Sequence, residues 1–258
     1  MMQADLSGMV ALVTGSSGDI GKAIALKLAE NGADIAINGL SPDRGPLVAE
    51  QIKAMGRRAI FERADINNYA EARQMALNTI EKLDKIDILV VSGGARSSGV
   101  KLGFFRDVDP ENYVVFARSR WLSRANCARA VLDHMIEKQY GKILFVTTDA
   151  GRTPTPGEVM NGASGAAVVQ MTKAMAKEFT RWKIRVNCLC ITVTETESSI
   201  ERRTGPVAKV MEKAEKTIPF GVNKASDVAE AALYFASRDS DQVTGSIFSI
   251  NGGLSFPG

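Results

Sequence analysis

Short apolar, β-branched segments alternate with amphipathic helical patterns along most of the chain, and this alternation limits the fold more than any other feature. Strands are expected where such segments lie between turn residues, and helices where apolar residues recur every three or four positions. The expected strands are Met9–Val13, Asp34–Asn38, Ala59–Arg63, Ile86–Val91, Ile143–Thr147, Ile184–Leu189 and Ser246–Ile250. The expected helices are Ile20–Glu30, Pro42–Met55, Tyr69–Leu83, Glu111–Lys138, Ala163–Phe179 and Ser226–Ser237.

Strands that alternate with helices of this length build βαβ units. The sequence therefore predicts an α/β fold with a doubly wound parallel sheet and helices on both faces. No linker or internal repeat divides the 258 residues, so a single domain over 1–258 is expected. Three cysteines are too few for a disulfide framework, which favours a reducing, cytoplasmic location.

Charge and composition argue against several classes of partner. The net charge of +3 comes from interleaved acidic and basic residues, whereas nucleic-acid binding usually requires a clustered basic surface. No apolar run approaches the length of a membrane span. Cys188 and Cys190 have no second pair of ligands at zinc spacing, and His134 is the only histidine. Neither a metal site nor a nucleic-acid or membrane partner is expected.

The clearest functional motif is the glycine-rich turn at residues 14–21 (TGSSGDIG), between the first strand and the first helix. Glycines in such a turn let the backbone approach a diphosphate, and the helix N-terminus attracts the negative charge. A glycine pattern that both ends a strand and begins a helix indicates a dinucleotide site more specifically than an isolated pattern would.

With this turn included, the sequence resembles the short-chain dehydrogenase/reductase family over nearly its whole length. The segments that carry the resemblance are VALVTG at 10–15, ADI at 64–66, IDILV at 86–90, GKIL at 141–144, IRVN at 184–187, TG at 244–245 and NGG at 251–253. The resemblance implies a seven-stranded Rossmann-like sheet, NAD(P) as cofactor, and pairing into dimers or tetramers through helices 111–138 and 163–179. The cofactor-binding residues that it implies are Gly15, Ser17, Asp19, Ile20, Gly21, Asp65, Ile66 and Gly93.

The catalytic residues of the family are a Tyr-x-x-x-Lys pair, a serine and an asparagine, and all four positions are changed here. The tyrosine and lysine positions hold Asn161 and Gly165, the serine position holds Thr148, and the asparagine position falls at about Arg120. An amide or a hydroxyl does not titrate near neutral pH, and arginine is a donor only. The sequence therefore predicts no intact catalytic residue at these positions.

The implied cofactor site is also altered. The middle glycine of the turn is Asp19, and a carboxylate about 5 Å from a diphosphate charge would cost roughly 3 kcal/mol at an effective dielectric constant near 20. We expect Asp19 to satisfy the backbone donors of its own helix instead, so NAD(P) binding should be weakened. Further departures from the family are Gly39 at the ribose-binding aspartate, Ser92-Gly93-Gly94 after the fourth strand and Ile191-Thr192 after the sixth. Neither Gly39 nor Leu40 distinguishes NAD from NADP.

These changes predict a non-catalytic subunit of a hetero-oligomeric alcohol or hydroxyacyl-CoA dehydrogenase that is NAD(P)-dependent. Its partner would be a homologous subunit with an intact Tyr-x-x-x-Lys pair, and related chains can share one interface geometry. This arrangement is similar in type to the hydroxyacyl-CoA dehydrogenase of the benzylsuccinate pathway, in which one subunit lacks the catalytic residues. Two alternatives stay open: an active but atypical ketone/alcohol oxidoreductase with substitute residues, and a nucleotide or acyl-thioester binding module.

Two further features have more than one interpretation. Arg118, Arg120, Arg124 and Arg129 lie on one predicted helix, either as a solvated or subunit-facing stripe or as a site for an acidic partner or coenzyme A phosphates. The polar segment 192–219 is either a substrate lid, as the resemblance implies, or a subunit contact.

Overall fold

Seven parallel strands form the central sheet of the computed structural model, which describes residues 4–93, 103–201 and 205–257. The strands of the chain are β1 (Val10–Thr14), β2 (Asp34–Gly39), β3 (Ala59–Arg63), β4 (Ile88–Val91), β5 (Gly141–Thr148), β6 (Ile184–Ile191), β7 (Thr194–Glu195), β8 (Asn223–Lys224) and β9 (Ile247–Ile250). The central order is β3-β2-β1-β4-β5-β6-β9, and β7 pairs with β8 separately. The strand order reverses between β1 and β4, which is where open α/β sheets bind ligands.

Helices cover both faces of the sheet, as predicted. They are α1 (Asp19–Glu30), α2 (Arg44–Ala54), α3 (Tyr69–Leu83), α4 (Tyr113–Ala117), α5 (Ser123–Lys138), α6 (Val159–Phe179), α7 (Glu197–Glu201), α8 (Gly205–Thr217) and α9 (Ala225–Ala236). Side chains of α1, α2 and α9 share one apolar cluster, and side chains of α3, α5 and α6 share the other. Successive residues of β1 enter the two clusters alternately, because side chains alternate across a strand. The predicted Rossmann-like fold is confirmed.

The long helix predicted over 111–138 is interrupted by a π-helical turn. A 3₁₀ turn and α4 come first, then the π turn Arg118–Leu122, and then α5. Within the described chain no helix is long and apolar enough to cross a membrane.

The prediction that Arg124 belongs to an exposed arginine stripe is wrong, because its side chain is buried. Its guanidinium donates to the Val146 carbonyl at 2.8 Å and to the Ser119 carbonyl at 3.3 Å. Burial, with the nearby Arg120 charge, lowers the pKa of Arg124 to about 10. The group therefore stays charged at neutral pH and joins α5 to the end of β5.

His134 links α5 to the sheet in a similar way. Its Nε2 atom accepts a hydrogen bond of 3.2 Å from the backbone N–H of Ile86, just before β4. Partial burial, with a smaller contribution from the Lys138 charge, lowers the pKa of His134 below its ordinary 6.5. Only the neutral imidazole has a lone pair on Nε2 with which to accept this bond.

We predict that the protein loses stability as the pH falls below about 6.5, because the unfolded chain takes up the His134 proton before the folded protein does. The single histidine gives one imidazole signal in NMR, so its pKa can be read directly and should lie below 6.5. The free energy of unfolding, measured with denaturant between pH 7.5 and pH 5, should depend less on pH in a His134→Gln variant than in the parent protein. An unshifted pKa, or an equal slope in both proteins, would contradict the assignment.

Candidate functional site

The turn between β1 and α1 lies against the end of β4, as expected for a dinucleotide motif. A Cβ atom on Gly15 would overlap the Cα atom of Gly93, and one on Gly21 would overlap the Gly15 carbonyl. Gly15 also has a φ of 63°, which glycine adopts without strain. Only glycines allow this close backbone packing, and the expected turn is therefore present.

The other predicted cofactor residues lie at the same edge of the sheet. Asp65 and Ile66 follow β3, and the Asp65 carboxylate accepts a hydrogen bond of 3.0 Å from the Asn67 N–H. Ser17 stands in the turn and Ile20 in the first turn of α1. Ser17 packs on Gly39 so closely that a Cβ atom on Gly39 would overlap it. Gly94 lies outside the described residues.

Asp19 has contacts that differ from the expected cap on its own helix. Its backbone is left-handed, with φ at 52°. Its two carboxylate oxygens accept from the backbone N–H of Ser198 at 3.1 Å and from the Ser198 hydroxyl at 2.6 Å. Ser198 belongs to the first turn of α7 and offers two donors at once, which matches the two oxygens of a carboxylate. Asp19 thus joins the glycine turn to the segment predicted as lid or subunit contact.

The four residues predicted at the catalytic positions come together at the other end of the site. Thr148 ends β5, Asn161 and Gly165 lie on α6, and Arg120 lies in the π turn. Partial burial of the guanidinium lowers the pKa of Arg120, and the neighbouring Glu158 charge opposes that shift.

Glu158, which directly precedes α6, is the residue that sequence reasoning missed. Its Oε2 atom accepts a hydrogen bond of 2.9 Å from the Asn161 amide and lies 3.5 Å from the Thr148 hydroxyl oxygen. No motif marks it; its place three residues before Asn161 at a helix start was the only signal in the sequence. It is a titratable carboxyl group at the centre of the altered positions.

Gly165 lies in direct backbone contact with the loop that follows β5. A Cβ atom on Gly165 would lie 2.8 Å from Thr148 Cγ2 and 3.0 Å from Gly151 Cα. One turn earlier, a Cβ atom on Gly162 would lie 2.7 Å from the Ala150 carbonyl oxygen. The loop therefore occupies the space that a side chain at position 165 would need.

A family model described as short chain dehydrogenase matches residues 9–206. The chain belongs to the short-chain dehydrogenase family. It is 31% identical over 256 residues to a 3-oxoacyl-[acyl-carrier-protein] reductase of Chlamydia pneumoniae, covering 99% of this chain and all of the relative. It is 30% identical to the (2S)-[(R)-hydroxy(phenyl)methyl]succinyl-CoA dehydrogenase subunit BbsD of Thauera aromatica, over 97% of this chain and 98% of that one.

Solved structures agree with this assignment. A short-chain type dehydrogenase/reductase of Mycobacterium marinum superposes with a TM-score of 0.88 at 31% identity, covering 98% of each chain. Short-chain dehydrogenases use NAD(P), and the backbone contacts of Gly15, Gly21 and Gly93 provide the cradle for its diphosphate. The Asp19 carboxylate lies in the same turn.

The described residues contain no group of three or more His, Cys, Asp or Glu side chains that could hold a metal ion.

A hydrogen-bond network begins at Asp149, which directly follows Thr148. The Asp149 carboxylate accepts a hydrogen bond of 3.2 Å from Arg152. The Asn251 amide lies 3.4 Å from the same carboxyl group. This network joins the end of β5 to the C-terminal tail.

We predict that Gly165→Ala destabilises the protein by about 1–3 kcal/mol, because the added methyl group would overpack the contact with Thr148 and Gly151. In an uncrowded helix the same substitution would stabilise by about 1 kcal/mol. Urea unfolding followed by circular dichroism gives the sign. The control is Ala163→Gly on the exposed face of α6, which should cost only about 0.5–1 kcal/mol. A more stable Gly165→Ala protein would show that the space is open.

Proposed function

We propose that this chain is the non-catalytic subunit of a hetero-oligomeric NAD(P)-dependent alcohol or hydroxyacyl-CoA dehydrogenase, and that it stabilises a homologous catalytic subunit. The close packing at Gly165 carries the proposal. A cation at that position would lie one helical turn from residue 161 and could lower the pKa of a proton donor there. Gly165 has no side chain, and its surroundings leave no space for one.

The dinucleotide side of the site supports the same conclusion. The glycine cradle is intact, but the Asp19 carboxylate does not fit beside a diphosphate, since like charges about 5 Å apart repel by roughly 3 kcal/mol at an effective dielectric constant near 20. Its hydrogen bonds to Ser198 also place α7 against the turn. We therefore derive no hydride-transfer step for this chain alone.

The exposed surface of α6 fits a subunit role. Over its first three turns the outward face carries no charge; the residues on it are Val159, Ala163, Ala166 and Gln170, and the exposed Lys173 follows them. Exposed apolar residues of the adjoining α4 and π turn extend this surface; they are Val114, Trp121 and Leu122. A contiguous exposed apolar surface is typical of a protein–protein interface. The Thauera aromatica relative is itself a subunit of a dehydrogenase.

The test is co-expression with a homologous chain that has an intact Tyr-x-x-x-Lys pair and is encoded beside this one. This chain alone should not oxidise 3-hydroxyacyl-CoA with NAD⁺ or NADP⁺, whereas the complex should be active and should elute as one hetero-oligomer in size-exclusion chromatography with light scattering. A neighbouring gene without such a pair, or turnover by this chain alone, would contradict the proposal.

We predict that Ala166→Glu on the exposed face of α6 weakens this assembly at least about tenfold, because a charge buried in an apolar interface is costly. The matched control is Ala70→Glu, an exposed alanine of α3 on another surface, which should leave assembly unchanged. Both variants should keep the unfolding midpoint of the parent chain. Equal assembly of the two variants would place the interface elsewhere.

One observation favours a second function, an active but atypical oxidoreductase. Glu158 is a titratable group in contact with Asn161 and near the Thr148 hydroxyl, so it could exchange a proton with a substrate hydroxyl. If the purified chain has ketone or alcohol turnover, Glu158→Gln should lower kcat by about 10²–10⁴-fold. Glu178→Gln, at the far end of α6, is the control. Equal kcat values in both variants would remove Glu158 from the mechanism.

A further inference from the structure

Two contacts tie the start of α1 to the start of α7. The first is the pair of hydrogen bonds from Ser198 to the Asp19 carboxylate, at 3.1 and 2.6 Å. The second is an ion pair of 2.9 Å between Lys22, which lies one turn after Asp19, and Glu197, which directly precedes Ser198. Together they hold α7 beside the glycine turn.

The chemistry of the first contact resembles that of a bound anion. A carboxylate presents two oxygens to a backbone N–H and a hydroxyl, which are the donor types that bind phosphate oxygens in proteins. Ser198 is buried, although its neighbour Glu197 is exposed. Asp19 is half-buried, so these two hydrogen bonds are partly shielded from water and should be stronger than fully exposed ones.

The backbone conformation of Asp19 is less favourable for aspartate than for glycine. A φ of 52° lies in the left-handed region, where glycine is unstrained and other residues are uncommon. Glycine would suit this position better if only the turn mattered. The side chain of Asp19 therefore has a role in the fold that offsets the unfavourable backbone.

We propose that the Asp19 carboxylate is a built-in substitute for the dinucleotide diphosphate, which holds α7 closed over the glycine turn when no cofactor is present. The inference rests on the proposed function, in which this chain does not use a dinucleotide. Its consequence is a segment after β6 whose position does not depend on NAD(P). The partner subunit would then meet one fixed surface on this chain, whether or not cofactor is available.

The experiment compares the parent chain with Asp19→Gly, Asp19→Asn and Ser198→Ala. Hydrogen–deuterium exchange with mass spectrometry reports on residues 197–201, and calorimetric titration reports on NAD⁺, NADH, NADP⁺ and NADPH. The matched control is Asp84→Gly, since Asp84 also has a positive φ, 76°, but lies at the end of α3. Glycine relieves backbone strain at both positions, so failure to fold is not expected.

The backbone amides of 197–201 should exchange at least about tenfold faster in Asp19→Gly and Ser198→Ala than in the parent chain. Their exchange in Asp84→Gly should match that of the parent chain. Asp19→Asn should exchange at an intermediate rate, because it retains an oxygen acceptor without the charge. Asp19→Gly should bind a dinucleotide about 100-fold more tightly than the parent chain, as removal of the repulsion predicts. Binding should restore slow exchange in 197–201 of this variant.

Unchanged exchange in Asp19→Gly would show that the carboxylate does not hold α7. Faster exchange without any gain in dinucleotide binding would make the contact a structural one and overturn the substitution for diphosphate. Micromolar binding by the parent chain would also overturn the inference. If this chain forms no hetero-oligomer with a homologous chain, while Asp19→Gly shows both the faster exchange and the tighter dinucleotide binding, the proposed function alone is refuted, so the two failures are distinguishable.

Discussion

The direct backbone contact between α6 and the loop after β5 determines much of this molecule. Gly151 and Gly165 meet without intervening side chains, so the backbone of α6 packs directly on the loop that follows β5. Thr148 and Asn161 are thereby brought to one carboxyl group, Glu158. The same contact leaves an uncharged surface exposed over the first three turns of α6. One pair of glycines thus affects both the chemistry of the site and the surface available for assembly.

The two ends of the site have changed in different physical ways. At the glycine turn a charge has been added, since Asp19 stands in a backbone conformation that favours glycine. At α6 a charge is missing, because Gly165 provides no cation and the loop occupies its space. Both residues are compatible with the packing of the sheet and its helices. The fold is maintained by the apolar clusters on its two faces, which neither change touches.

The sequence was enough to predict the fold, because the alternation of apolar strands and amphipathic helices depends on local periodicity. It was also enough to identify the glycine turn, whose residues are consecutive. The partner of Asp19 could not be predicted, since Ser198 is 179 residues away and no periodic pattern relates them. The burial of Arg124 was missed because a cation held by backbone carbonyls and a serine hydroxyl, with no acidic partner, has no sequence signal. Glu158 was missed because it lies in a loop outside any motif.

A dehydrogenase needs a dinucleotide and a proton-transfer group at the same time, and here these requirements depend on separate residues. Asp19 lies at the turn after β1, whereas Glu158 lies beside the end of β5 and the start of α6. The two requirements can therefore be met or lost independently of each other. A catalytic role requires both ends to be competent, whereas a subunit role requires neither. The subunit role is consequently the interpretation that makes the fewest demands on the altered residues.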